Sequence, residues 1–418
     1  MTYSTKSQQN FSEPELHRVV VTGIGVVSPI GNWPGPFFDH AAAGSSGIRQ
    51  LPAGEQASPV QIAAWIDTPI DDGSKGAPPD RVTQLALTAG RYALTEAGLL
   101  DHPELLAEMG VHLGTGSGAS ATTDQAFYRL YGEKRDRLAP MTLPRGINNA
   151  AASELAIRFG LTGVNNTYST ACASSSSAIG EALRAIRHGY SERILAGGSE
   201  ALLTYGILHA WYALHALAPP DTHIAASCRP FSADRNGLVL GEGAAFLVLE
   251  NLTAATNRGA TILAELVGYG TSCDAAHITH PSSAGQVKAI RHALSDAGLE
   301  CGAIDYINAH GTGTPAGDAV EAQSLRTVFG EYLPTLPISS TKAVHGHLLG
   351  AGGAVELAIA IIAMQKSVIP PTANCRMPDP ELGIDMVAEG MRRQTLNIVL
   401  SNSFAFGGSN SVLIARKI

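Results

Sequence analysis

One cysteine and two histidines stand where reactive groups are displayed. Cys172 falls within YSTACASSSSAIGEALRAIRHG, residues 168–189. Residues 164–170 read as a strand. Residues 173–188 read as a helix, with Ile179, Leu183 and Ile186 at helical spacing, His188 in the last turn and Gly189 as its stop. Cys172 is then placed at a strand-to-helix turn, by a helix N-terminus. Free backbone N–H groups and the positive dipole end there favour thiolate over thiol. His310 closes the apolar run DYINAH before the turn GTGTP, and His347 lies in STKAVHGHLLGAGG ahead of an apolar helix. Both sit at the end of an element, where chemistry is commonly displayed. A thiol with two imidazoles can form a covalent intermediate, steady a developing negative charge and move a proton. Each also has a plainer reading: a buried structural cysteine, and a histidine with its hydrogen bonds satisfied.

The small residues around the thiol follow from the same geometry. A helix that starts under a sharp turn packs closely on its neighbours, and Ala171, Ala173 and Ser174 to Ser177 leave room for a substrate beside the sulfur. Two other chemistries have weaker support. His345-Gly-His347 is half of a metal site, but spacing supplies no third ligand, so no metal is expected. GIGVVS at 23–28 begins like a dinucleotide fingerprint, but Ser28 replaces the third glycine and no acidic residue follows a second strand about twenty residues on.

The elements that must carry these groups alternate strand and helix. RVVVTGIGVVSPIG (18–31) reads as a buried strand and turn. Residues 80–98 put Val82, Leu85, Ala86, Ala89, Ala93 and Ala97 on one helical face, with Gly98 as the stop. GVHLGTGSG (110–118) and ERILAGGSE (192–200) are strands running into glycine-containing turns, and 236–250 reads as two strands with a tight join. The pattern restarts near 260: a strand over 261–274, a helix over 286–299, then strand, turn and helix over 305–330. There Thr314 is the N-cap, Pro315 the first helical residue and Gly330 the stop. AVELAIAIIAM (354–364) reads as a buried core helix, and two strands around a glycine turn close the chain. Such alternation predicts parallel or mixed sheets covered on both faces, in two similar halves, 17–258 and 259–418, after a loose tail over residues 1–16.

Composition bounds the rest. Of 418 residues, 45% are hydrophobic and 15% charged, enough for a large core. The net charge of −8, with no basic run, weighs against a nucleic-acid partner. Five cysteines (172, 228, 273, 301 and 375), odd in number and without paired spacing, read as reduced thiols in a cytoplasmic protein. The N-terminus carries no signal-peptide h-region. No apolar run approaches the ~18 residues of a membrane span, so no membrane partner is expected.

Taken together, five segments resemble the β-ketoacyl-[acyl-carrier-protein] synthases, above all the freestanding type II enzymes that extend acyl chains: TACASSSSA, CRPFSADRNGLVLGEGA, INAHGTGTPAGDAVEAQ, STKAVHGHLLGAGGAVE and SNSFAFGGSN. The resemblance runs from VVVTGIGVVSPIG to the C-terminus. It implies an α/β, thiolase-like fold: two pseudo-symmetric halves in an α/β/α/β/α layered arrangement, usually dimeric. It also implies roles. Cys172 matches the nucleophile that accepts the acyl chain. His310 and His347 match the pair that drives decarboxylation of the malonyl extender. Lys342 matches the family lysine paired with an acidic residue, which would be Glu321 here. Phe406 matches a gate residue whose N–H joins that of Cys172 in an oxyanion hole. Thr312 and Thr314 match threonines that hold the phosphopantetheine arm, and His277 and Thr279 fall where the family lines the arm's tunnel. Phe404 is counted among the substrate-binding positions.

No cofactor is implied beyond that arm, which the acyl carrier protein supplies. Carrier proteins are acidic, so arginine or lysine is expected at the tunnel mouth, with Arg81, Arg129 and Lys134 as candidates. The chain departs from the pattern in two places. His345 stands where elongating relatives carry threonine, and Ser117 stands where a larger aliphatic residue lines the acyl pocket. With Trp211 also placed near that pocket, these changes tilt the reading towards a specialised polyketide or polyene pathway. The alternatives are a non-catalytic chain-length-factor subunit, which lacks the nucleophile; a starter-type enzyme, which carries Asn at the position of His347; and a thiolase, which needs a second cysteine where this chain has SNSFAFGG.

Overall fold

The computed structural model describes residues 16–52, 58–73 and 78–418. Apart from residue 16, the expected tail lies outside them. Ten strands carry the frame. In the first half these are β1 (Val19–Ser28), β2 (Gly110–Gly114), β3 (Asn165–Tyr168), β4 (Arg193–Glu200) and β5 (Gly243–Asn251). In the second they are β6 (Ala264–Cys273), β7 (Tyr306–Asn308), β8 (Pro337–Ser339), β9 (Ile398–Phe404) and β10 (Ser409–Arg416). The first five stand in the order β3-β2-β4-β5-β1, and the second five repeat it as β8-β7-β9-β10-β6. Directions repeat too: β2 is parallel to β3 and β4, and β7 to β8 and β9, while β5 and β10 run antiparallel to their neighbours. The halves join where β1 pairs antiparallel with β6, Val20 opposite Glu265.

Six helices cover these strands: α1 (Arg81–Glu96), α2 (Ala150–Phe159), α3 (Ser174–Arg187), α4 (Ser283–Ala297), α5 (Pro315–Phe329) and α6 (Gly352–Lys366). Successive strand side chains point to opposite faces, and here both faces are apolar. Leu195, Phe246 and Val248 pack with Leu85 and Ala89 of α1 and Leu155 of α2. Ile194, Leu247 and Leu249 pack on the other side with Ile179 and Leu183 of α3 and with α6. In the second half Ile307, Leu400 and Val412 face Ile290 of α4 and Leu325 of α5, while Tyr306, Val399 and Leu413 face the central helices. The layers are therefore helix, sheet, helix, sheet, helix, with α3 and α6 in the middle. This is why α6 is apolar on every side. The stretch Leu349–Lys366 is long and apolar enough to cross a membrane, but 89% of it is buried inside the fold.

Close packing of α3 explains its run of small residues. A Cβ on Gly198 of β4 would lie 2.6 Å from Ser175 Cβ, and one on Gly353 of α6 would lie 2.0 Å from Ser176 Oγ. The caps are those expected: Thr314 Oγ1 accepts from Gly317 N–H, and Gly330 follows α5. One expectation fails. Residues 236–250 hold a single regular strand, β5. Leu238 and Leu240 make only isolated bridges, to Leu217 and His347, because the backbone here is shared among separate segments: Leu238 N–H donates to Ala216 C=O at 3.0 Å, Leu240 C=O accepts from Ala64 N–H at 2.8 Å, and Val239 C=O and Gly241 N–H bond His347 at 2.7 and 2.9 Å.

Candidate active site

Cys172 lies in a single 3₁₀ turn, Ala171–Ala173, that leads into α3. Ala171 holds φ at +48°, a left-handed conformation that costs a non-glycine residue about 1–3 kcal/mol and marks a turn held by its surroundings. His310 follows β7, and His347 follows a four-residue helix, Lys342–His345, ahead of α6. Though 175 residues apart in sequence, His347 Nε2 and Cys172 Sγ are 3.1 Å apart. The His310 and His347 rings meet edge to face at 5.5 Å, and Phe404 packs on His310 at 6.0 Å.

All three groups open into one cavity of about 440 Å³, also lined by Thr312, Thr314, His277, Thr279, Trp211, Phe404 and Phe406. Trp211 stacks on Phe406 with centroids 5.9 Å apart and planes 23° from parallel. The Phe406 N–H is close enough to the Cys172 sulfur to favour its ionised form. Thr312 and Thr314 join through their hydroxyls at 2.9 Å. His277 Nδ1 accepts from the N–H groups of Thr279 and His280. Ser117 does not line this cavity. Its backbone N–H donates to Glu200 at 3.0 Å. Arg81 and Arg129 line a separate groove, and Arg81 is paired with Glu242. Among the described residues no arginine or lysine lines the cavity; its mouth carries His215, His277 and His280 instead.

The acidic partner of Lys342 is Glu356, not Glu321. Glu321, on α5, folds back under the turn after β7. There its carboxylate accepts from the N–H groups of His310 and Gly311, at 2.9 and 2.7 Å, and from Asn402 at 3.1 Å. Glu356 is the sole charge inside the apolar run of α6. A buried charge needs a partner, and that isolation was the sequence signal for it. His345, the other departure, does not line the cavity: its Nδ1 meets Gly346 C=O at 2.8 Å and its Nε2 meets Thr341 Oγ1 at 3.0 Å.

Burial governs the electrostatics. It pushes the Cys172 thiol up to about 12, against the pull of the Lys342 charge and of the Phe406 and Cys172 N–H groups. The helix terminus therefore does not yield a resting thiolate, contrary to the sequence expectation; removal from water outweighs it. Burial, and then the Lys342 charge, hold both His310 and His347 well below the ordinary histidine range, so both imidazoles are neutral. A lysine ammonium can only donate, so the 3.4 Å contact from Lys342 makes His310 Nδ1 an acceptor and places its proton on Nε2. For His347, Nδ1 has no partner. A buried orphan N–H is the rarer case, so we assign its proton to Nε2 as well, facing the sulfur. Among the described residues six buried side-chain oxygens also lack partners, on Thr167, Thr204, Asn308, Glu356, Ser401 and Asn402. Asn308 is opposite Ser401 in the β7–β9 pairing.

Comparison with known proteins agrees with this frame. Residues 16–255 match the model of the beta-ketoacyl synthase N-terminal domain, and residues 263–376 that of its C-terminal domain. The chain is 39% identical to Nodulation protein E of Rhizobium meliloti, over 96% of this chain and 99% of that one. It is 37% identical to 3-oxoacyl-[acyl-carrier-protein] synthase 2 of Synechocystis, over 96% and 99%. Among solved structures, the ishigamide ketosynthase/chain length factor superposes with a TM-score of 0.89 at 33% identity, covering 96% of this chain and all of the other. A beta-ketoacyl synthase from Burkholderia phymatum gives 0.87 at 34%, with the same coverage. A type II polyketide ketosynthase bound to its acyl-carrier protein gives 0.89 at 29%, again with that coverage. With both halves of the family model matched in order along one chain, this protein belongs to the β-ketoacyl synthase family.

Proposed function

We propose that the protein is a 3-oxoacyl-[acyl-carrier-protein] synthase that extends a carrier-bound acyl chain by two carbons with malonyl-[acyl-carrier protein]. The observation that carries this reading is the meeting of Cys172 Sγ with His347 Nε2 at 3.1 Å, beside His310, in one cavity. Cys172 attacks the acyl thioester, and the tetrahedral oxyanion takes the N–H groups of Cys172 and Phe406. The acyl group stays on sulfur, and the thiol proton ends on the departing phosphopantetheine thiol. Malonyl-carrier protein follows. As CO₂ leaves, the Nε2–H groups of His310 and His347 hold the enolate oxygen. The enolate carbon attacks the acyl-enzyme, forming the new C–C bond and releasing Cys172 as thiolate, which a solvent proton restores. Two neutral imidazoles suit this role, since each donates without repelling the other. The arm reaches Cys172 past Thr312, Thr314, His277 and Thr279.

No metal or nucleotide is required by these steps. The partners in this reading are the acyl carrier protein and a second subunit, a copy of this chain or a related one, in the cytoplasm. Cys172 and both histidines argue against a subunit that merely shapes a partner's pocket. The test incubates the protein with acyl-carrier proteins of varied length and malonyl-carrier protein and follows intact masses. Acylation confined to Cys172, then a product two carbons longer, is expected. Full extension by Cys172→Ala would remove the nucleophile from the reading.

A further inference from the structure

The two halves repeat a turn as well as a sheet. Ala171, at φ +48°, stands three residues before Ser174, where α3 begins. Leu349, at φ +41°, stands three residues before Gly352, where α6 begins. Each opens a short 3₁₀ turn, Ala171–Ala173 and Leu349–Ala351. Gly350 thus occupies in the second half the position that Cys172 occupies in the first. It lies three residues beyond His347.

A buried carboxyl group that the chemistry does not use meets this glycine. Glu200 ends β4 and has no exposed surface. Its Oε2 accepts from Gly350 N–H at 3.0 Å and from Gly116 N–H at 2.6 Å. Its Oε1 accepts from Ser117 N–H at 3.0 Å and lies 3.4 Å from the Thr115 hydroxyl. The fit leaves no slack, because a Cβ on Gly350 would lie 2.4 Å from Gly116 N and 2.6 Å from Glu200 Oε2. The Gly116 turn is itself beside the nucleophile's turn: a Cβ there would be 3.8 Å from Ala171 C=O. One side chain therefore joins the backbone just after His347 to the backbone that abuts Cys172.

The geometry points to Glu200 as a positioning residue, which sets the separation of Cys172 and His347 by tying Gly350 to the Gly116–Ser117 turn; the inference rests on the condensing reading above. Its charge also acts on the sulfur. Burial raises the Glu200 carboxyl to about 7, and its negative form opposes ionisation of Cys172. A residue that merely filled space would do neither.

Two variants separate tether from charge. Glu200→Gln keeps the length but loses the charge and presents an NH₂ to N–H donors. Glu200→Asp keeps the charge but is too short to reach Gly350. Both are expected to lower kcat for condensation roughly 10- to 100-fold, as misplaced reacting groups do, with KM for malonyl-carrier protein unchanged within about twofold. Only Glu200→Gln is expected to move the pH profile of Cys172 alkylation by iodoacetamide, towards lower pH. The alkylation arm needs no carrier protein, so it reads the site even if condensation is absent. A wild-type protein that fails to condense overturns the proposed function. A wild-type protein that condenses, with both variants matching its kcat and its alkylation profile, overturns the role of Glu200. Equal loss of kcat and of melting temperature with an unmoved alkylation profile in Glu200→Gln reduces Glu200 to a structural residue and overturns the role as well.

Discussion

Lys342 Nζ lies 3.4 Å from His310 Nδ1, with both side chains buried and Glu356 closing the other side of the ammonium. The contact does two things at once. It fixes the tautomer of His310, so that Nε2–H faces the cavity, and it makes protonation of that ring unfavourable.

Lys342→Met should therefore remove both effects. It also leaves Glu356 without its cation; breaking one side of a buried pair typically costs about 3–5 kcal/mol. Because burial raises Glu356 to about 7, part of that cost is relieved by protonation. Malonyl decarboxylation should fall at least tenfold, with acyl transfer to Cys172 less affected. The double variant Lys342→Met/Glu356→Gln should regain stability but not rate. Decarboxylation at wild-type speed in Lys342→Met would dismiss the lysine from the chemistry.

The buried thiol has its own signature. With Cys172 held up near 12, its alkylation in the substrate-free protein should be slow at neutral pH. The rate should rise about tenfold per pH unit through the mildly alkaline range, as thiolate reactivity requires. Cys273 is exposed and should be modified first, serving as an internal reference. Peptide mass mapping across pH 7 to 10 measures both. Rapid, pH-independent labelling of Cys172 would mean a resting thiolate.

Stability should carry the mark of buried neutral imidazoles. Burial, with the Lys342 charge, lowers His345 to about 3, against about 6.5 in an unfolded chain. Below pH ~6.5 the unfolded state binds a proton that the native state refuses, so this contribution is complete above ~6.5 and is lost as pH falls. His345→Gln lacks it. Relative to that variant, wild type should lose up to about 1.4 kcal/mol per pH unit between pH 6 and 4. Parallel urea titrations check this; a constant difference across that range would refute it.

Trp211 and Phe406 form the apolar wall of the cavity beside the sulfur. Trp211→Ala removes the stacked ring and widens the space available to an acyl chain. The ratio of kcat/KM between long and short acyl-carrier substrates should rise by roughly 10-fold or more, the scale at which apolar pockets discriminate. Competition between two chain lengths, read by product mass, measures the ratio. An unchanged ratio would place chain selection elsewhere.

Period and punctuation in the sequence carried the frame. The helix of 80–98, the cap at Thr314, the stop at Gly330 and the buried helix after His347 were all legible, because each depends on neighbours within a few residues. The apolar run at 238–240 misled for the converse reason: it looks like a strand, but its hydrogen bonds are split among Ala216 and Ala218, Ala64 and His347, segments that only the fold brings together.

The site divides along the same line. Which groups could react was written locally, in a cysteine at a turn and two histidines at element ends, and the motifs around them specified the family. Which groups meet was decided by the fold. Glu321 and Glu356 are both plausible partners for Lys342 on paper; only the packing of α6 against the sheet selects Glu356, because a buried ammonium pairs with the carboxylate that reaches it and not with one already holding two backbone N–H groups. The protonation of Cys172 is tertiary in the same sense. A helix terminus acts over one turn, but the loss of water around the sulfur is imposed by both halves closing on it, and that loss outweighs the rest.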